Sequence, residues 1–554
     1  MVRRVAWILA LTAACHGTPT PVSIAPLPAD AYAHYLAGKL AMYRDDAEAA
    51  SRELSVAAAA APDQPMITVE LARALAKSKQ DLAARDVLAK ARVKWPHHAQ
   101  VWLASGEVLE RGSDKLPELR KQALDAYRRA IKLESTDERG YIGLARVQLA
   151  AGDPKGAEKT LRSLVAKVPD SVDGHYRLAQ RLDANGDREA AVKELRAVLE
   201  WEPDHLDARM DLARTLRRQG KLAEAVAQTR SAFDRAGQPM DIAEELYWVI
   251  CEADDRQGAI DLLTLLDDDR SDVDALARVA QLQRGLGRTP EARVVADHIK
   301  ALDADESVIS LAETDLAEGL TDAAIAKASS VRESSERYLE ARAVVVNAHL
   351  AARQPAKALA VLRPLRAAHP DDLALAFAEA LAHADAGDAA AARAIGDKLT
   401  GEAIVIAWLR ARIVERLGDS AGALKLLEPA LKSSPDHVGA LNLAGYLLAD
   451  RKERLDDAER YLARARDLQP GDPAILDSWG WLLYQRGRSR DAVRALDRAY
   501  RFAPRETEIL VHLAAAWAAD GAPGHARELL DRAAAQKPAP DVMRRIDALR
   551  QTLR

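Results

Sequence analysis

The chain has 554 residues, 49% hydrophobic, 29% charged and only 4% aromatic, with 79 Lys and Arg against 84 Asp and Glu. That length exceeds what one hydrophobic core holds, and 28 Gly with 24 Pro are too few for a collagen-like or low-complexity polymer. A net charge of −5 argues against a general nucleic-acid binder, which needs a basic surplus, and the two cysteines, Cys15 and Cys251, build neither a disulfide framework nor a four-cysteine zinc site.

At the start of the chain, Arg3 and Arg4 precede a short apolar run, Val5 to Ala14 (VAWILALTAA), that ends in small residues. This is the layout of a signal peptide over 1–14, too short to span a bilayer as a permanent helix. The run stops at Cys15, and Leu11-Thr12-Ala13-Ala14-Cys15 resembles the lipobox of bacterial lipoproteins, with Thr12 where that family prefers Leu. The resemblance implies cleavage before Cys15 and lipidation of Cys15; the alternative is ordinary cleavage and a soluble periplasmic protein. Residues 15–30 then carry Pro19, Pro21, Pro26 and Pro28, a composition that favours an extended, semi-rigid spacer. His16 follows the cysteine, where an Asp would resemble an inner-membrane retention signal, so attachment to the outer membrane, facing the periplasm, is expected.

From residue 31 to 540 the sequence repeats. Alanines recur mostly at intervals of 34 residues, as from Ala50 to Ala84, Ala157 to Ala191 and Ala492 to Ala526, and prolines such as Pro62, Pro96, Pro169, Pro203, Pro470 and Pro504 follow them in constant phase. Alanine lets the second helix of a pair approach the first closely, and proline stops that helix before the next pair begins. Period and markers resemble the tetratricopeptide repeat. The resemblance implies an all-α fold: an α-solenoid of about 15 tetratricopeptide helix pairs forming a right-handed superhelix, with a C-terminal capping helix over 541–554. The pattern is weakest across about 240–403, where the turn prolines mostly vanish, and a short insertion near Gly112 to Leu116 separates the helices of the third pair.

Subtracting the repeats leaves too little chain for an ordinary catalytic domain, and no HExxH, GxSxG, P-loop or CxxC motif is present. His97-His98 lacks a third ligand nearby in sequence. Asp267-Asp268-Asp269 with Asp272 and Asp274 lacks the glycine and glutamate that a calcium loop needs. Cys251 reads as a small packed thiol. No enzyme activity, cofactor, metal or small-molecule substrate is expected, although a degenerate hydrolase or glycan-acting solenoid stands as the competing class.

In tetratricopeptide arrays the concave wall is built mostly by first helices and usually holds a peptide or an extended protein segment. On the positions that the resemblance assigns to that wall fall Trp408, Arg412, Glu415 and Arg416, then Asn442 and Tyr446, then Asp477, Trp481 and Tyr484. Aromatics are scarce in this chain, and Trp and Tyr beside Arg and Asn suit protein recognition. Trp479 and Trp517 read instead as packed between helices. A second, basic patch comprises Arg209, Arg214, Arg217 and Arg218, which either grips an acidic segment or lies as a solvated helix face answered by Asp207, Asp211 and Glu224.

Residues 441–488 contain Gly445-Tyr446, Ala449-Asp450, Leu455-Asp456-Asp457-Ala458 and Leu476-Asp477-Ser478-Trp479-Gly480-Trp481. This block resembles one shared by large tetratricopeptide lipoproteins of the proteobacterial outer membrane, among them adaptors that bind a periplasmic carboxyl-terminal processing protease and present cell-wall hydrolases to it. The resemblance implies a non-catalytic adaptor, with a pilus, secretion or outer-membrane assembly factor as the alternative.

Overall fold

The computed structural model describes residues 27–113, 116–268 and 272–553. The signal-like run, Cys15 and most of the spacer lie outside the described residues, as do parts of the insertion in the third pair and of the acidic run at 267–274. Among the described residues the secondary structure is entirely helical: fifteen antiparallel pairs and a final helix, Pro540–Thr552. The first helix begins at Ala29, inside the stretch read as spacer. No described helix is long and apolar enough to cross a membrane.

The chain forms two compact units, one ending at Pro203 and the other beginning at Asp204, where the sequence reads as one continuous array. Five pairs belong to the first unit and ten, with the final helix, to the second.

The repeat markers act in both units as their chemistry dictates. Ala50, Ala84, Ala157, Ala191, Ala492 and Ala526 are all fully buried on second helices. Opposite them, a Cβ on Gly480 would lie 2.5 Å from Leu496 Cγ, and one on Gly445 2.5 Å from Leu462 Cγ, so these first helices sit too close to their partners for any side chain there. The residue before each turn proline is pulled out of the helical region, as at Ala61 (φ −133°), Val168 (φ −130°) and Gln469 (φ −134°), because the proline ring crowds the preceding backbone. Aspartates restart many helices: Asp153, Asp187, Asp372 and Asp472 each accept from backbone N–H groups in the following first turn.

Within the second unit, elements far apart in sequence meet. Arg217, at the end of the helix Leu206–Arg218, is buried and donates to the carbonyl oxygens of Arg466 (3.2 Å) and Asp467 (2.5 Å) at the end of Leu455–Leu468. Glu252 lies 3.4 Å from Arg217 and 3.8 Å from Arg466. Phe502 is buried in a core that includes Tyr247, Leu282 and Leu286. Arg501 pairs with Asp254 at 2.9 Å, Arg505 donates to Ala317 O at 3.2 Å, and Arg353 donates to Lys537 O at 2.9 Å. The stretch from 240 to 403, where the repeat pattern fades, thus supplies turns that later pairs pack against, and those turns follow a second set of contacts besides the repeat itself.

Candidate protein-binding wall

Four consecutive first helices, Ala403–Arg416, Val438–Asp450, Pro473–Gln485 and Thr507–Ala519, line a cavity of about 610 Å³. It brings together six of the residues read as wall positions: Trp408, Arg412, Glu415, Asn442, Tyr446 and Asp477. Trp481 and Tyr484 stand outside that lining. The Trp481 indole donates to Asp450 at 3.0 Å and stacks on Tyr484 (4.8 Å between centroids) and on His512 (4.2 Å), while its half-buried body packs against the core. Trp481 is therefore held by the fold much as Trp479 is, over whose ring the Arg466 guanidinium lies at 4.7 Å. The sequence separates the two tryptophans into anchor and packing residue; the structure gives both packing contacts, because the helix carries them half a turn apart on a surface that neighbouring helices partly cover.

Trp408 owes its position to a missing side chain. A Cβ on Gly439 would lie 3.0 Å from the Trp408 ring, so glycine there lets the indole lie against the next first helix. Arg412 sits over the rings of Trp408 (5.7 Å) and Phe377 (6.0 Å). Asn442 Oδ1 is buried and accepts no hydrogen bond within the protein.

The floor of the cavity is a polar chain that crosses three helices. His512, 1% exposed, bonds through Nδ1 to both oxygens of Asp477 (2.9 and 3.0 Å), and Arg545 of the final helix donates to His512 Nε2 at 3.0 Å and to Glu508 at 2.8 Å. Since a guanidinium only donates, Nε2 accepts and Nδ1–H donates to Asp477. An imidazole oriented by a carboxylate is half of a hydrolytic triad, but here its second nitrogen is occupied by Arg545, and the neighbouring Ser478 hydroxyl donates to Ala474 O at 3.1 Å. The arrangement joins helices. The final helix, read as a solvating cap, also closes this floor.

Carboxylates dominate the rest of the lining. Asp472 caps its helix, and burial pushes its carboxyl up despite the two backbone N–H groups it accepts from. Glu506 occupies the cap position of Thr507–Ala519 without making the cap bond; burial pushes it up, aided by Asp477 and Glu508. Burial likewise raises Glu415, against the nearby Arg412 and Arg416. Among the described residues neither Glu415 nor Glu506 makes a side-chain hydrogen bond or ion pair, whereas Arg416 turns away to Asp385 at 2.6 Å. Burial also raises the Tyr446 phenol. Sequence reasoning missed Asp472, Glu506, His512 and Arg545. The first two stand at helix starts, outside the wall positions; His512 adjoins one; and only tertiary packing brings Arg545 back.

The basic patch does not assemble as a surface. Arg209 and Arg217 are buried, Arg209 donating to Gln228 (3.0 Å) and Arg217 to backbone carbonyls; Arg214 pairs with Glu245 at 3.0 Å; and Arg218 is also partnered. Residues four apart on one helix share a face only until neighbouring helices cover it; here the covering helices supply most of the acceptors, and Asp211 of the same helix lies 3.4 Å from Arg214, as the solvated-face reading expects. Cys251 is fully buried, and burial raises its thiol. Asp272 caps the next helix and Asp267 accepts from or pairs with His298 at 2.8 Å; among the described residues no group of three or more His, Cys, Asp or Glu is placed to hold a metal.

The first unit has its own cavity, about 750 Å³, lined by Arg73, Lys77, Glu107, Glu110, Arg111 and Arg146 among others. Its charges answer one another: Arg73 bonds Glu107 (2.9 Å) and Glu70 (3.1 Å), Lys39 bonds Glu70 (2.6 Å), and Glu110 takes Arg146 (2.6 Å) and the Tyr127 hydroxyl (2.7 Å).

Two family profiles, each described as tetratricopeptide repeat, match residues 120–182 and 184–239, and residues 346–404, 409–473 and 478–540, together more than half of the chain. The chain belongs to the tetratricopeptide repeat proteins. Such repeats form protein–protein interaction scaffolds. A curated relative, TPR repeat-containing protein PA4667 of Pseudomonas aeruginosa, is 38% identical over 152 residues, which is 27% of this chain and 26% of that protein. The chain thus spans about a quarter of the length of the curated relative it matches. Among solved structures, Naa15/Naa10 bound to HypK-THB is 13% identical over 94% of this chain and 96% of that one (TM-score 0.30). The Cut9–Hcn1 hetero-tetramer is 12% identical over the same shares (TM-score 0.34). YrrB, described as a tetratricopeptide protein with an unusual peptide-binding site, is 19% identical over 34% of this chain and 95% of its own (TM-score 0.28).

Proposed function

We propose that this tetratricopeptide protein is a non-catalytic adaptor of the bacterial envelope, tethered at the outer membrane through lipid on Cys15, that holds a periplasmic carboxyl-terminal processing protease or its substrates. The observation that supports a binding role is the cavity spanning four successive first helices, with Trp408, Tyr446 and Asn442 turned into it. A tether and a long repeat array convert two weak encounters into one intramolecular event. The envelope setting rests on the lipobox-like Leu11 to Cys15 and on the 441–488 block. Affinity capture from the host envelope, with the native chain and with Trp408→Ala, tests the reading. The native chain should retain a protease or cell-wall hydrolase that Trp408→Ala loses, and Cys15→Ser should move the protein out of the membrane fraction. Equal capture by both chains rejects the wall as the binding site, and membrane retention of Cys15→Ser rejects the anchor.

A further inference from the structure

We propose that the cavity between Ala403 and Ala519 takes a cationic side chain, an arginine or lysine, presented on an extended segment of the partner protein. The inference rests on the wall reading above and adds the chemistry of what is bound. Five carboxylates line the cavity (Glu415, Asp472, Asp477, Glu506 and Glu508) against one guanidinium, Arg412, which already lies over two aromatic rings. Asp477 and Glu508 are satisfied by His512 and Arg545, and Asp472 by its helix cap. Among the described residues neither Glu415 nor Glu506 accepts a side-chain hydrogen bond or forms an ion pair, and the charges of Arg412 and Arg416 near Glu415 do not offset its burial.

Acceptors outnumber donors in the lining. Two carboxylates without partners and the buried Asn442 Oδ1 are all acceptors. An apolar occupant would strip water from these groups and return no hydrogen bond, at a cost. An anionic occupant would meet like charge. A guanidinium or ammonium supplies donors and charge together, and the Tyr446 ring offers it aromatic surface. The volume is ample for one long side chain and the backbone on either side of it.

Fluorescence anisotropy of the purified chain with fluorescein-labelled oligo-arginine tests this, with oligo-lysine and oligo-glutamate as further arms. Saturable binding of oligo-arginine or oligo-lysine and none of oligo-glutamate is expected. Glu415→Gln with Glu506→Gln, which keeps the shapes of both side chains, should weaken binding by about tenfold or more. Glu333→Gln with Glu336→Gln, which removes the same charge from an exposed turn elsewhere in the unit, should weaken it by less than about twofold. Equal weakening by both pairs, or preference for oligo-glutamate, overturns the inference. Capture of the envelope partner separates the two ideas. If Trp408→Ala loses the partner but the Glu415/Glu506 pair keeps it, the wall binds without a cation and only this inference fails; if both keep it, the wall reading fails too.

Discussion

On the first-helix wall of the N-terminal unit Glu107 and Glu110 are each hydrogen-bonded to a guanidinium, whereas on the wall of the C-terminal unit Glu415 and Glu506 face a cavity of similar size without an ion pair among the described residues. Both walls are built from the same repeat, so the backbone does not make the difference. Arg73, spaced one repeat before Glu107, reaches across to it; the arginines near Glu415 are engaged elsewhere, Arg412 on aromatic rings and Arg416 with Asp385. A matched wall contributes to its own stability, and an unmatched one keeps its interaction energy for something that arrives.

The largest effect expected concerns neither wall but the contact that sets the C-terminal one in place. Arg217→Ala leaves two helix-end carbonyls and Glu252 short of a buried partner and should destabilise the second unit by about 3–5 kcal/mol. Hydrogen exchange should show the loss in Leu455–Leu468 and spare the five pairs before Pro203; unchanged protection of that helix would remove Arg217 from this role.

The walls themselves should separate at the next level. Arg73→Met removes charged hydrogen bonds to two carboxylates and should cost about 1.5–3 kcal/mol in chemical denaturation. Glu506→Gln should stay within about 0.5 kcal/mol of the native chain, since no bond is lost. Comparable losses at both sites would mean that Glu506 has a structural partner after all, and the contrast between the walls would fall.

The smallest effect is a pH dependence. Glu306 lies 3.7 Å from Arg337, yet burial outweighs that cation and pushes its carboxyl up to about 7. A carboxyl whose folded value exceeds its unfolded one favours the fold when protonated, so this stabilisation is complete below the ordinary carboxylate range and is lost as the pH rises through about 7. Glu306→Gln should flatten the melting temperature between about pH 5 and pH 8. An unchanged profile would show that other groups govern it.

Much of the fold was legible because each repeat writes its own instructions. Ala492 and Gly480 act on neighbours within one helix pair, and local rules fix their meaning. Six wall residues share one cavity for the same reason, since position within a first helix decides which side chains point the same way. The basic patch misled for the opposite reason: Arg209 and Arg217 share a helix face, but what lies over that face comes from other helices, for Arg217 from one about 250 residues later.

By itself, then, the sequence determined the repeat, the pairing of helices and the set of residues available to the wall, because helical period, alanine contacts and proline stops are local chemistry. Only the tertiary structure decided that Arg217 is a buried tie, that Trp481 is packed, that His512 and Arg545 floor a cavity, and that Glu415 and Glu506 stand without ion pairs among the described residues. Whether a charge is matched depends on which side chains arrive from other helices, and no periodicity in the sequence records that.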